Sequence, residues 1–342
     1  MKVLSILALL GGLMMPLSVI TQIENLPQQT GFFDYQIPFQ QDTLSFLVSS
    51  GGRDADPRKL VIYLQGSLPM PLFIEDADGA FMRAFPIDYW TYHEEYYFCI
   101  IPKPGVPIVE KASALSDQNL SLDPVTQAPS RAYQERNHLD YYVERAQAVL
   151  EYWTEKKPIE EVIVIGGSEG ARVGARFAAT SDLVTHLIYY SADPLGRFYE
   201  KIDAEQKAAL AGTQSMEVAR HNIEELFEEW EEKNKDPLST ATEKGDTNRA
   251  WTSFSSPAIN DLLQLNIPVL VCYGTADSKV TNMNFLRFEA IRLGKSNLEF
   301  RSFENHDHGL NKLTFNQEGE VVSSEYVFDT IYAEWLNWIR EH

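Results

Sequence analysis

Three residues of this 342-residue chain have the types and the order that nucleophilic catalysis needs: Ser168, Asp277 and His308. A serine hydroxyl is a poor nucleophile at neutral pH. It needs a base within hydrogen-bond reach and a buried acid to orient that base. Ser168 sits in Gly166-Gly167-Ser168-Glu169-Gly170, the pattern Gly-x-Ser-x-Gly. A serine on a sharp, strained turn has to be flanked by residues whose side chains cannot collide with neighbouring backbone, and Gly166 and Gly170 meet that condition. An ordinary glycine-rich turn would give the same five letters, so the pattern has to be weighed with its surroundings.

Those surroundings are a strand and a helix. Val162-Ile163-Val164-Ile165 has no polar alternation and reads as a parallel strand buried on both faces, and Ala171 to Ala179 reads as a helix of small residues. Ser168 would then stand at the C-terminal edge of a sheet, with the N–H of Glu169 aimed at a developing oxyanion. Asp277 follows the apolar run Ile267 to Tyr273, within Gly274-Thr275-Ala276-Asp277, and His308 follows Leu298 to Phe303, within Asp307-His308-Gly309. A further run from Lys59 ends in Gln65-Gly66-Ser67, a loop suited to supply a second oxyanion N–H from Ser67 or Leu68. Two alternatives stay open. His306 competes with His308 as the base, and Asp193, in Ser191-Ala192-Asp193-Pro194, competes with Asp277 as the acid, although Pro194 gives it the look of a turn residue. His306-x-His308 is also a conceivable metal pair, but no other Cys, His or carboxylate grouping joins it, and no metal site is expected.

In combination these motifs resemble the α/β-hydrolase superfamily, and within it the branches similar to dienelactone hydrolases and prolyl-oligopeptidase-like enzymes. The resemblance runs from about Lys59 to the C-terminus. In that family the acid follows the seventh strand in a Gly-x-x-Asp context and the base follows the eighth in an Asp-His-Gly-like context, in the chain order serine, acid, histidine. The resemblance implies an α/β fold with a mostly parallel central sheet flanked by helices. It also implies Ser168 as nucleophile, His308 as base, Asp277 as its orienting acid, Glu169 and Ser67 as oxyanion donors, and no cofactor. The expected reaction is cleavage of a carboxylic ester through an acyl-enzyme, with a peptide bond as the alternative substrate. A hydrolase scaffold kept only for binding is a third reading, and the presence of all three triad residue types argues against it. The fold would put Cys99 on the fourth strand and Cys272 on the seventh, four strand spacings or roughly 19 Å apart. A disulfide needs Cα atoms within about 7 Å, so none is expected.

The remaining chain must position these groups. With 44% hydrophobic residues it can fill a sizeable core, and 49 acidic against 29 basic residues give a net charge of −20, which repels phosphate backbones and excludes nucleic acid as a partner. Met1-Lys2 and the apolar run after it read as an export leader over residues 1–21, with the mature chain starting near Thr21 in a periplasmic or extracellular setting. Because the apolar stretch continues to Ile20, an uncleaved anchor over residues 3–20 is the alternative, and only that would make a membrane a partner.

Gly31 to Pro38 and Thr43 to Val48 alternate as exposed antiparallel strands do, and Ser50-Gly51-Gly52-Arg53 closes them with a loop. Leu68 to Tyr92 shows no clear periodicity and is expected to wall the pocket, with Phe81, Phe85, Trp90 and Tyr92 as candidate liners. Asp140 to Trp153 predicts a helix, and Phe328, Ile331, Trp335 and Trp338 predict the buried face of a last one. From Leu195 to Leu263 the strand–helix rhythm gives way to helical spacing, with Ala219, Ile223, Leu226 and Trp230 on one face and acidic residues on the other. The expected organisation is a core of residues 22–194 and 264–342 with a helical cap, 195–263, inserted between two of its strands.

Overall fold

The computed structural model describes residues 26–49, 58–242, 245–278, 280 and 282–342. The leader and the Ser50 to Arg53 loop lie outside the described residues.

Apolar runs without polar alternation need cover on both faces, and the chain provides it by interleaving them with helices. Eight strands form one sheet: β1 (Phe32–Phe39), β2 (Asp42–Ser49), β3 (Arg58–Leu64), β4 (Tyr96–Ile100), β5 (Ile159–Gly167), β6 (His186–Tyr190), β7 (Val269–Gly274) and β8 (Leu298–Phe303). Their spatial order is β1-β2-β4-β3-β5-β6-β7-β8. β2 is antiparallel to both β1 and β4, and every pairing from β4 onward is parallel. One face is covered by α1 (Leu139–Lys156) and α2 (Glu169–Thr180), which bury Leu150, Trp153, Val173 and Phe177 against Leu60, Val164 and Leu187.

Between β6 and β7 lie α3 (Arg197–Leu210), α4 (Met216–Lys235), α5 (Asn248–Phe254) and α6 (Ile259–Gln264), followed after β7 by α7 (Met283–Arg292). The other face is covered by α8 (Phe328–Glu341), whose Phe328, Ile331, Trp335 and Trp338 are all buried among Ile163, Ile188 and Leu270.

Two local expectations need correction. The Leu68 to Tyr92 stretch, which shows no clear periodicity, is not without strands: Phe73–Glu75 and Phe81–Arg83 form a hairpin, and Val109–Lys111 adds a parallel third strand. Its turn is held by Asp76 Oδ1, which accepts the N–H groups of Asp78 and Ala80 at 2.9 Å. Strands of three residues are too short for any periodicity to register. Nor is β2 exposed: Leu44, Phe46, Leu47 and Val48 are buried, because β4 pairs along its inner edge and α1 lies over it. Cys99 on β4 and Cys272 on β7 are buried free thiols, separated by β3, β5 and β6.

Candidate active site

The turn from β5 into α2 is built by small residues at contact distance. A Cβ on Gly166 would lie 2.2 Å from the Gly170 carbonyl oxygen, and one on Gly170 would lie 2.1 Å from that of Leu64. Gly167 is equally constrained, since a Cβ there would sit 2.1 Å from the Tyr190 ring. Between them Ser168 takes φ 55° and ψ −121°, a region that costs a non-glycine residue about 1–3 kcal/mol and persists only when its surroundings enforce it. Its own N–H is held by the Tyr190 carbonyl at 3.1 Å. Ser168 is the N-cap of α2, so Glu169 is the first helical residue, and the leading N–H groups of a helix have no partner within it. These donors, at the positive end of the helix dipole, can receive an oxyanion.

β7 and β8 are adjacent and parallel, so the loops at their C-terminal ends meet. The Ala276 N–H donates to the His306 carbonyl at 3.0 Å, and Gly274 is where that carbonyl passes, 2.1 Å from the site a Cβ would take. This packing puts His308 Nδ1 at 2.7 Å from Asp277 Oδ2. The Asp277 side chain is 1% exposed and that of His308 34%, so the acid is sealed while the imidazole reaches solvent. A cavity of about 320 Å³ is lined by both Ser168 and His308, together with Tyr63, Gln65, Gly66 and Ser67.

The two alternatives, His306 and Asp193, have other partners. His306 turns its Nδ1 to the Glu304 carbonyl at 2.7 Å. Asp193 is buried and closed off by the Leu195 N–H and the Asn282 side-chain amide, each at 2.9 Å, and burial pushes its carboxyl above the usual range. Of the four aromatic liner candidates, Phe85 borders the cavity. Phe81, Trp90 and Tyr92 do not: Trp90 is 61% exposed, Tyr92 packs edge-on to Tyr332, and Phe81 lies against the core beyond.

The Ser67 loop lies against the serine, with the Cβ position of Gly66 3.8 Å from Ser168 Cβ. Its conformation is fixed by Tyr133, whose hydroxyl donates to the Ser67 carbonyl at 2.5 Å. Sequence reasoning passed over Tyr133, since the stretch around it carries no periodic pattern. It also passed over the charges about Glu169. That side chain is buried, and its carboxylate accepts from Lys103 Nζ at 2.7 Å and from the Arg197 guanidinium at 2.8 Å. Lys103 is itself buried, which pushes its ammonium below the ordinary lysine value while Glu169 pulls it back. A second cavity of about 600 Å³ shares Ser67 and Leu68 with the first and is also lined by Arg197, Lys201 and Trp251 of α3 and α5.

No family model and no curated protein matches the chain. Solved structures do. Similar to it are a putative dienelactone hydrolase from Klebsiella pneumoniae subsp. pneumoniae MGH 78578 (12% identity, TM-score 0.52, 91% of this chain and 98% of that one) and Est1E from Butyrivibrio proteoclasticus (11% identity, TM-score 0.50, 90% and 98%). A putative dipeptidyl aminopeptidase IV from Bacteroides ovatus ATCC 8483 is also similar (9% identity, TM-score 0.55), covering 91% of this chain but only 36% of its own length. At these identities the likeness is one of fold, and the fold is that of the α/β-hydrolases.

Proposed function

We propose that this α/β-hydrolase-fold chain is a serine hydrolase that cleaves a carboxylic ester through an acyl-enzyme. The observation that carries the reading is the His308–Asp277 bond of 2.7 Å in a cavity that Ser168 also lines. Ser168 Oγ attacks the substrate carbonyl carbon as its proton passes to His308 Nε2, and Asp277 accepts the Nδ1–H and stabilises the imidazolium. The carbonyl oxygen gains the charge and is held by the N–H groups of Glu169 and Ser67. Collapse breaks the bond to the leaving alkoxide, which takes the proton from His308. A water molecule then repeats the sequence on the acyl-enzyme and frees Ser168 and the acid.

The helical segment 195–263 acts in this reading as a cap over the adjoining 600 Å³ basin, which accommodates the larger part of the substrate. A small-molecule ester is the preferred substrate class, because the putative dienelactone hydrolase and Est1E align over 98% of their lengths. The peptidase reading rests on the aminopeptidase likeness and uses the same three residues. Residues 1–21 are read as an export leader that takes the enzyme to the periplasm or beyond, or as an anchor if they are not removed.

The test is labelling by a fluorophosphonate probe, with Ser168→Ala beside the wild type and circular dichroism to check folding. Labelling of the wild type and its loss in the variant is the expected result; a folded wild type that takes no label, or a variant that still does, overturns the reading. Comparing p-nitrophenyl esters with proline-containing aminoacyl amides separates esterase from peptidase.

A further inference from the structure

α2 carries three charges at positions i, i+3 and i+7, which fall on one side of a helix. Each has an opposite charge on the segment between β6 and β7: Glu169 meets Arg197 at 2.8 Å, Arg172 meets Glu200 at 2.8 Å, and Arg176 meets Asp261 at 2.8 Å. Arg197 and Glu200 are themselves three apart, at the start of α3. Arg197 reaches on to Asp246 at 2.5 Å, and both border the 600 Å³ basin. The first member of this stripe differs from the others. Glu169 follows the nucleophile directly, is 1% exposed, and is gripped from the opposite side by Lys103, on the loop after β4, at 2.7 Å.

A carboxylate held between two cations cannot shift without leaving charge buried and unpaired, so residue 169 is fixed by its side chain as well as by the helix. We propose that Glu169 is a positioning residue: its carboxylate, clamped by Lys103 and Arg197, holds the residue-169 N–H in line with the substrate oxygen and makes that alignment depend on the seating of α3. The inference rests on the serine-hydrolase reading for its catalytic half. Its mechanical half, that Glu169 ties α3 to the start of α2, stands on the ion pairs alone. Arg172–Glu200 and Arg176–Asp261 seat the same segment without touching the residue that carries the donor, so they separate docking from alignment.

The experiment compares Glu169→Gln, Arg197→Ala, Arg197→Lys and Arg176→Ala with the wild type, at a temperature well below each variant's unfolding transition. It reads kcat and KM on p-nitrophenyl acetate, the rate of phosphonylation at Ser168, and amide hydrogen exchange across residues 197–210. Losing an oxyanion donor outright costs about 10²–10³ in kcat. Misalignment in Glu169→Gln should cost roughly 10–100-fold in kcat and in phosphonylation rate, with KM within about threefold and faster exchange in α3. Arg197→Ala should follow in the same direction, Arg197→Lys should recover most of the loss, and Arg176→Ala, whose partner Asp261 lies on α6, should loosen α6 while keeping both α3 exchange and kcat. Arg197→Ala serves in place of Glu169→Gln should the latter not fold. A Glu169→Gln enzyme with kcat and phosphonylation within twofold of the wild type overturns the positioning role. If the wild type takes no label at Ser168, the function reading fails by itself, and α3 exchange still decides the mechanical half: unchanged exchange in both Glu169→Gln and Arg197→Ala overturns it.

Discussion

His308 has two ring nitrogens, and only one can face the serine. In the proposed mechanism the bond from Nδ1 to Asp277 decides which, because an Nδ1–H donated to the carboxylate leaves Nε2 to take the proton of Ser168. Asp277→Asn keeps the shape but can donate to Nδ1 and so favour the wrong tautomer. That variant should retain its fold and lose about 10⁴-fold in kcat, measured on any ester the wild type turns over; a loss below tenfold would remove Asp277 from the proposed triad. Ser168, Asp277 and His308 were legible because each lies at the end of an apolar run in a short glycine-marked motif. The preference for His308 over His306 rested on Gly309 following it; in the structure His308 meets Asp277 and His306 meets a backbone carbonyl. Tyr133 was not legible, since its bond to the Ser67 carbonyl joins residues 66 positions apart.

At the scale of an element, the ends of α1 and α2 show how differently a helix can begin. α2 starts at a strained serine with no side-chain cap, which leaves its first N–H groups for another use, whereas α1 starts at His138, whose Nδ1 accepts the Tyr141 N–H at 3.2 Å. A histidine can accept at Nδ1 only while that nitrogen is unprotonated. Burial, with Arg249 nearby, lowers the pKa of His138 from 6.5 to about 4. Between about pH 6.5 and pH 4 the unfolded chain therefore binds a proton that the folded one refuses, so this contribution to stability is fully present above pH 6.5 and is lost as pH falls through that window. Asn caps helices without titrating. Urea midpoints at pH 7 and pH 4.5 should fall further in the wild type than in His138→Asn, and equal falls would show that His138 is not the group responsible. The eight sheet strands and the last helix were legible as apolar runs or periodic faces; the hairpin of Phe73–Glu75 and Phe81–Arg83 was not, because three-residue strands carry no period.

Over the whole molecule, strand order decides what distant residues can do to each other. Cys99 and Cys272 lie on strands with three others between them, and burial pushes both thiols up. In denaturant without reductant both should titrate as free thiols, while in the folded protein they should react at least about 100-fold more slowly, as inert buried cysteines do; a crosslinked pair would contradict the strand order. The sequence by itself determined the alternation of buried strands and covering helices, the glycine-flanked serine turn, and the placing of Asp277 and His308 at two later strand ends, because these depend on local sequence neighbours. The tertiary structure alone decided which histidine meets the acid, that Tyr133 fixes the Ser67 loop, that β2 is covered rather than exposed, and that the charges of α2 pair one by one with the segment after β6. A charge on a helix looks the same in sequence whether it faces water or an ion-pair partner 28 or 85 residues away. Only the packing of one element on another tells them apart.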